Sequence, residues 1–288
     1  MKSLFAFTLV ALLAGTACAA GKATIDTGRG DVPVTIPEAY SSDSPAPLVV
    51  LLHGYTSSGV GQEFYMKFSK LVDEYGFLYI RPDGSKEVSE ANYRFWNANK
   101  ICCDFYGSEV DDSAYIHGLI DEMKDNYAVD GNRVYLIGHS NGGFMSHRMA
   151  YDHPDTIAGI ASLNGSSLPE MNGPTPERPV NILHIHGSED KVNQYEGGKI
   201  RGLVYPGAQA SIEKWVAYNG IDMKKKNLRK KIDLDKRIDG KETTITRYDN
   251  TGSIELWTIE GGGHVPAVTE DFSRLIIEWL LEHPKAEK

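Results

Sequence analysis

The chemistry available to this sequence centres on one pentapeptide, Gly138-His139-Ser140-Asn141-Gly142. A serine hydroxyl is a poor nucleophile until a neighbouring base takes its proton. The setting makes Ser140 a candidate. Val134-Tyr135-Leu136-Ile137 before it reads as a buried strand, and Gly142 to Tyr151 after it has helical spacing. A tight strand-to-helix turn lifts the residue at its apex to the sheet edge, and small residues two positions to either side let strand and helix approach closely. The helix N-terminus then faces negative charge developing beside the hydroxyl. The competing reading is a serine that merely caps the helix.

Such a nucleophile needs a base and an acid, expected later in the chain in the order acid, then histidine. Six histidines follow Ser140: His147, His153, His184, His186, His264 and His283. His264 is the best base. It ends Gly261-Gly262-Gly263-His264 just beyond the apolar run Ile254 to Ile259, where a glycine loop can present an imidazole at the sheet edge. Asp190, in Gly187-Ser188-Glu189-Asp190 after the run Ile182 to Ile185, is the expected acid, with Glu189 in reserve. It would fix the imidazole tautomer and stabilise its cation. The oxyanion would be held by two backbone N–H groups, that of Asn141 and that of Tyr55 in His53-Gly54-Tyr55-Thr56, with Thr56 as the alternative. His184 and His186 share one face of their strand, but two ligands make a poor metal site. No metal and no cofactor is expected.

These positions require a frame. A β-hairpin is predicted over Ala23 to Pro37 around Gly28-Arg29-Gly30. Buried strands are predicted at Leu48–Leu52, Phe77–Ile80, Val134–Ile137, Ile157–Leu163 and Ile182–Ile185, with further strands at Thr243–Tyr248 and Ile254–Ile259. Helices are predicted at Phe64–Tyr75, Val110–Tyr127 with Asp111 or Asp112 as cap, Gly142–Tyr151, Ala208–Tyr218 and Phe272–Leu281. The basic run Lys224 to Lys231 reads as a solvated surface loop. Buried strands alternating with helices imply a mostly parallel central sheet with helices on both faces. No internal repeat and no linker divides the chain, so residues 21–288 read as one domain. The irregular aromatic stretch from Asn92 to Gly107 offers Tyr93, Trp96 and Phe105 as walls of a substrate pocket, joined by Tyr195; the competing reading is a small satellite core.

Composition narrows the partners. Thirty basic against 39 acidic residues leave a net charge of −9 in 288 residues, which argues against nucleic acid or an anionic membrane as partner. Residues 1–20 read as a signal peptide: Lys2, the apolar run Leu4 to Ala14, too short to span a bilayer, then Ala17-Cys18-Ala19. The protein is therefore expected to be secreted, without stable membrane insertion; lipid attachment at Cys18 is the alternative. Cys102 and Cys103 would be the remaining cysteines, either a vicinal disulfide or two free thiols. Oligomeric state is not legible.

Four blocks carry a family resemblance: Leu51-Leu52-His53-Gly54; Asn132-Arg133-Val134-Tyr135 running into Gly138-His139-Ser140-Asn141-Gly142-Gly143; His184-Ile185-His186-Gly187 with Asp190; and Trp257-Thr258-Ile259-Glu260-Gly261-Gly262-Gly263-His264. Together they resemble the polyhydroxybutyrate depolymerase-like esterases, which group with feruloyl and acetyl-xylan esterases, from about Val34 to Pro284. The resemblance implies an α/β-hydrolase fold, a Ser140–Asp190–His264 triad and ester hydrolysis through an acyl-enzyme. It points to feruloyl or acetyl esters of plant polysaccharide, or to hydroxyalkanoate oligomers. A peptidase using the same triad and an inactive binding protein are the alternatives.

Overall fold

The computed structural model describes residues 22–286 except 27, 225 and 250–252; the expected signal segment and Cys18 lie outside them. Strands β1 (Lys22–Asp26) and β2 (Asp31–Thr35) form the predicted hairpin, turning through Gly28 and Gly30, both at positive φ. Then follow β3 (Ala46–Leu52), α1 (Gly59–Met66), a 3-10 turn (Phe68–Leu71), α2 (Val72–Tyr75), β4 (Leu78–Ile80), and two short strands that pair with each other, β5 (Ser85–Lys86) and β6 (Arg94–Phe95). The middle of the chain supplies α3 (Asp112–Asn126), β7 (Val129–His139), α4 (Asn141–Asp152), β8 (Gly159–Leu163), β9 (Asn181–Gly187) and a hairpin, β10 (Gly197–Ile200) with β11 (Leu203–Pro206). The chain closes with α5 (Ala208–Tyr218), β12 (Lys226–Ile232), β13 (Thr243–Arg247), β14 (Ile254–Ile259) and α6 (Phe272–Glu282).

Ten strands make one sheet in the order β1-β2-β4-β3-β7-β8-β9-β14-β13-β12. The six central strands are parallel, and an antiparallel pair extends each edge. Alternation within the buried strands creates two cores, as a period of two demands. Leu48, Val50 and Leu52 face α3, α4 and α5 through Ile116, Met145, Met149 and Trp215. Val49 and Leu51 face the other way, onto Met66 of α1 and Ile276, Ile277 and Leu280 of α6. Helices thus cover both faces of a mostly parallel sheet, the α/β-hydrolase arrangement.

Two expectations need correction, and one element was not foreseen. The single helix predicted over Phe64–Tyr75 is broken, because Lys67 closes α1 in the left-handed region at φ 60° with its N–H on Glu63 O; the apolar spacing continues through the 3-10 turn and so hides the break. The basic run is an edge strand, β12, whose Leu228 and Ile232 share a face and pack on the Val49 side; Arg229, Lys230 and Lys231 between them obscure the period in the sequence. The β10–β11 hairpin is legible only through Arg201-Gly202, both at positive φ in its turn. Cys102 and Cys103 are joined to each other in a disulfide.

Candidate active site

The parallel order of the central strands brings every chain turn that follows β3, β7, β8, β9 and β14 to one edge of the sheet, and the candidate residues lie there. Ser140 sits between β7 and α4 at φ 54°, ψ −118°, a conformation costly for a side chain with a Cβ. The neighbouring glycines explain how it is held. A Cβ on Gly138 would fall 2.1 Å from Gly142 O, and one on Gly142 would fall 2.2 Å from Leu52 O. The Ser140 N–H donates to Leu163 O at 2.8 Å, pinning the turn to β8.

His264 reaches this serine across 124 residues of chain, with Nε2 2.9 Å from Ser140 Oγ. Its Nδ1 lies 2.7 Å from Asp190 Oδ2, and Asp190 Oδ1 accepts the N–H groups of Val192 and Asn193 at 2.8 and 2.9 Å. Asp190 is buried while His264 keeps partial access to solvent. Such an arrangement can deprotonate an alcohol and hold the resulting imidazolium against a carboxylate. Glu189, the reserve acid, is not in this line.

Two residues that spacing alone did not single out hold the His264 loop. Asn164, directly after β8, donates from Nδ2 to His264 O at 2.8 Å. Its Oδ1 accepts from Gly187 N at 2.9 Å, and its backbone carbonyl accepts from Asn193 Nδ2 at 2.7 Å. One residue, through its side-chain amide and its backbone carbonyl, therefore ties the base loop, the end of β9 and the acid loop together. An asparagine directly after a buried strand was the available signal. His139 Nε2 lies 2.9 Å from the same carbonyl of His264, so that nitrogen carries the proton. Burial and the neighbouring His264 push its pKa down to about 4, keeping it a neutral donor.

Of the oxyanion donors expected at Tyr55 and Asn141, Tyr55 lines the same cavity as Ser140 and Asn141 follows Ser140 directly. Asn141 opens α4, so its N–H belongs to the first turn, whose donors have no acceptor within the helix. The alternative donor, Thr56 N–H, is committed to Arg94 O at 2.9 Å. Trp96 connects the two donor segments. Its backbone N–H donates to Asn141 Oδ1 at 2.7 Å and its carbonyl accepts from Asn141 Nδ2 at 2.8 Å. Its indole N–H donates to His53 O at 3.0 Å, just before the Tyr55 turn. The Cys102–Cys103 pair supports the same clamp, since Cys103 N donates to Trp96 O and Asn141 Nδ2 approaches Cys102 Sγ at 3.6 Å.

Trp96 as a pocket wall is therefore a correction. Its ring is fully buried between His53 and Tyr115, and its one polar atom is consumed by the backbone. The cavity beside Ser140 and His264 has a volume of about 350 Å³, with Tyr55, Gln62, Tyr65, His139 and Val265 among its walls. Tyr93 and Phe105 stand outside it and meet Tyr55 edge-on, at ring distances of 6.1 and 5.3 Å. Tyr195 is drawn into the protein, with its hydroxyl on Thr258 Oγ1 at 2.7 Å and its ring edge against His186. A larger cavity of about 600 Å³ opens at the opposite end of β9, beside Asn181 and His283; its Ser253 hydroxyl is held by Asp249 and its His283 Nδ1 by Trp279 O, so they form no Ser–His–acid line.

The Phospholipase/Carboxylesterase family profile matches residues 37–205, which carry the β3 turn, the Ser140 elbow and Asp190. The chain belongs to this family. Proteins similar to this chain include a bifunctional acetylxylan esterase/xylanase of Neocallimastix patriciarum, 24% identical over 274 residues, which are 90% of this chain and 35% of that protein. Another is feruloyl esterase B of Piromyces equi, 27% identical over 243 residues, which are 80% of this chain and 42% of that protein. The chain thus spans less than half the length of either. Among solved structures, an acetyl xylan esterase from Aspergillus awamori superimposes with a TM-score of 0.63 at 17% identity, covering 91% of this chain and 99% of that one, a likeness of fold.

Proposed function

We propose that this chain is a secreted serine esterase that hydrolyses carboxylic esters through an acyl-enzyme. One observation carries the reading: the unbroken line Ser140 Oγ, His264 Nε2, His264 Nδ1, Asp190 Oδ2, with separations of 2.9 and 2.7 Å. Ser140 attacks the acyl carbonyl while His264 takes its proton and Asp190 stabilises the imidazolium. The oxyanion is received by the N–H groups of Asn141 and Tyr55, each worth about 3 kcal/mol in the transition state. His264 returns the proton to the departing alcohol, and water activated by the same imidazole releases the acid.

A cavity of about 350 Å³ lies at the lower end of the range for small-molecule sites. Its aromatic walls, Tyr55 and Tyr65, favour a short or planar acyl group. Gln62 Nε2 is buried in that wall without a hydrogen-bond partner and is a donor for a substrate oxygen. Acetyl and feruloyl esters of plant polysaccharide fit this description, and the names of the similar esterases point the same way. Export rests on Lys2 and the apolar run Leu4 to Ala14.

The test is turnover of p-nitrophenyl acetate by wild type and Ser140→Ala, followed by methyl ferulate, acetylated xylan, hydroxybutyrate oligomers and matched amides. Ser140→Ala is expected to lose about four orders of magnitude or more in kcat. Equal rates for the two proteins would end the proposal, and amides cleaved as fast as esters would replace it with a peptidase. Recovery of the protein from culture medium checks export.

A further inference from the structure

Behind the Asp190 loop lies a cluster of titratable groups that no step of ester hydrolysis uses. His147 in α4 and His184 and His186 in β9 are buried to within about 1% of full enclosure. They form a continuous hydrogen-bonded chain, and its proton positions follow from its ends. Trp215 Nε1 can only donate, and it lies 2.8 Å from His147 Nδ1. His147 Nδ1 is therefore the acceptor, and the proton of the neutral ring is on Nε2. That nitrogen lies 3.2 Å from His184 Nδ1, so His184 accepts there and carries its own proton on Nε2. His184 Nε2 lies 3.1 Å from His186 Nδ1 and donates to it. His186 Nε2 then donates to Asn193 O at 2.7 Å, a group that can only accept. A donor-only group at one end and an acceptor-only group at the other admit a single arrangement, with all three rings in the Nε2–H form.

We propose that His147, His184 and His186 are positioning residues: a direction-locked chain of neutral imidazoles that fixes the acid loop and turns its positive end toward the Asp190 carboxylate. The inference rests on reading Asp190 as the partner of His264. Asn193, on which the chain ends, donates its own N–H to Asp190 Oδ1 at 2.9 Å, and His186 Nε2 stands 3.6 Å from Asp190 Oδ2. The N–H groups all point the same way along the chain, so their dipoles add at the carboxylate. Protonating any ring would replace an acceptor with a second donor facing a donor. Burial opposes that charge as well: it lowers all three pKa values, that of His147 to about 3. The groups that act electrostatically on His186 are Asp190 and His264; those acting on His184 are His147 and His186. The chain does not relay protons, because moving each proton to the other ring nitrogen would set a His147 Nδ1–H against the Trp215 N–H. His184 and His186, a conceivable metal pair from spacing alone, spend their facing nitrogens on each other.

Two measurements on the full-length protein test this. Long-range proton–nitrogen NMR of histidine-labelled enzyme reports tautomer and charge directly. His147, His184 and His186 are expected as neutral Nε2–H rings throughout the ordinary histidine range of about pH 5 to 8. Any one of them titrating there, or found as Nδ1–H, overturns the proposal. The second compares His186→Leu with His186→Gln, whose amide can still donate to Asn193 O. Rates are referred to the number of sites titrated by a serine-reactive phosphonate. His186→Leu is expected to lower kcat roughly tenfold to a hundredfold with KM little changed, and His186→Gln to recover most of it. Unchanged kcat per titrated site in His186→Leu refutes the positioning role, while activity surviving in Ser140→Ala refutes the esterase reading instead. If His186→Leu yields no folded protein, the NMR result alone decides.

Discussion

Buried neutral histidines make this fold sensitive to acid at a pH where carboxylates are still silent. His139, His147 and His184 are enclosed, and burial puts the first at about pKa 4, the second at about 3 and the third well below the ordinary value. In the unfolded chain each returns to about 6.5. Below that value the unfolded state binds protons that the folded state refuses, so stability is complete above pH 6.5 and is lost as the pH falls. Going from pH 7 to pH 5.5 costs about 1 kcal/mol for each ring, or about 3 to 4 kcal/mol for the three. That is a large share of the 5–15 kcal/mol that typically separates native from unfolded domains. Carboxylates, titrating near pH 4, contribute little in this window. The assay is urea unfolding at pH 7.0, 6.0 and 5.5 with proton uptake followed on unfolding, at about three protons per chain from these rings at the lowest pH and more with His186, which burial also holds neutral. An unfolding free energy that stays flat from pH 7 to 5.5, or uptake below one proton, would refute the claim that these rings are held neutral.

Three further outcomes follow from particular contacts. Trp96→Phe keeps a ring between His53 and Tyr115 but removes the donor to His53 O; kcat is expected to fall about tenfold, within the roughly 3 kcal/mol that one oxyanion donor supplies, and an unchanged kcat in folded protein would show that the Tyr55 turn does not depend on the indole. Gly142→Ala places a methyl 2.2 Å from Leu52 O, whereas Gly263→Ala meets nothing within 4 Å; the first should cost more than about 4 kcal/mol and the second stay within about 0.5 kcal/mol, measured by thermal unfolding. Lys285 is enclosed at the chain end with Nζ on Ile157 O, and burial lowers its pKa to about 8. The unfolded chain therefore holds its proton more tightly between pH 8 and 10.5, and the cost of the buried charge, at most about 3 kcal/mol, is felt below pH 8 and relieved above it. Lys285→Met should raise Tm at pH 7 with a gain that shrinks by pH 10, and a gain independent of pH would assign it to packing alone.

The local sequence determined most of the elements and the chemical types at the reactive edge. Buried strands announce themselves as short apolar runs bounded by turn residues, as at Leu48–Leu52 and Ile254–Ile259, because a strand covered on both faces has no room for polar alternation. The Ser140 elbow was legible because its glycines answer a local demand, close passage of strand and helix, that falls within five residues. Asp190 and His264 could be chosen because each follows such a strand. Tertiary structure decided everything that depends on contacts between segments far apart in the chain. Trp96 and Ser140 are 44 positions apart, and no periodicity could reveal that the indole closes on His53 O while the backbone grips Asn141. The aromatic residues of the Asn92–Gly107 stretch looked like pocket walls by type, but packing turned Trp96 inward and left Tyr55 facing the cavity. Likewise His147, His184, His186 and Trp215 are four unremarkable positions in the sequence. Only their packing behind β9 gives the chain of rings a donor at one end and an acceptor at the other, and so a direction.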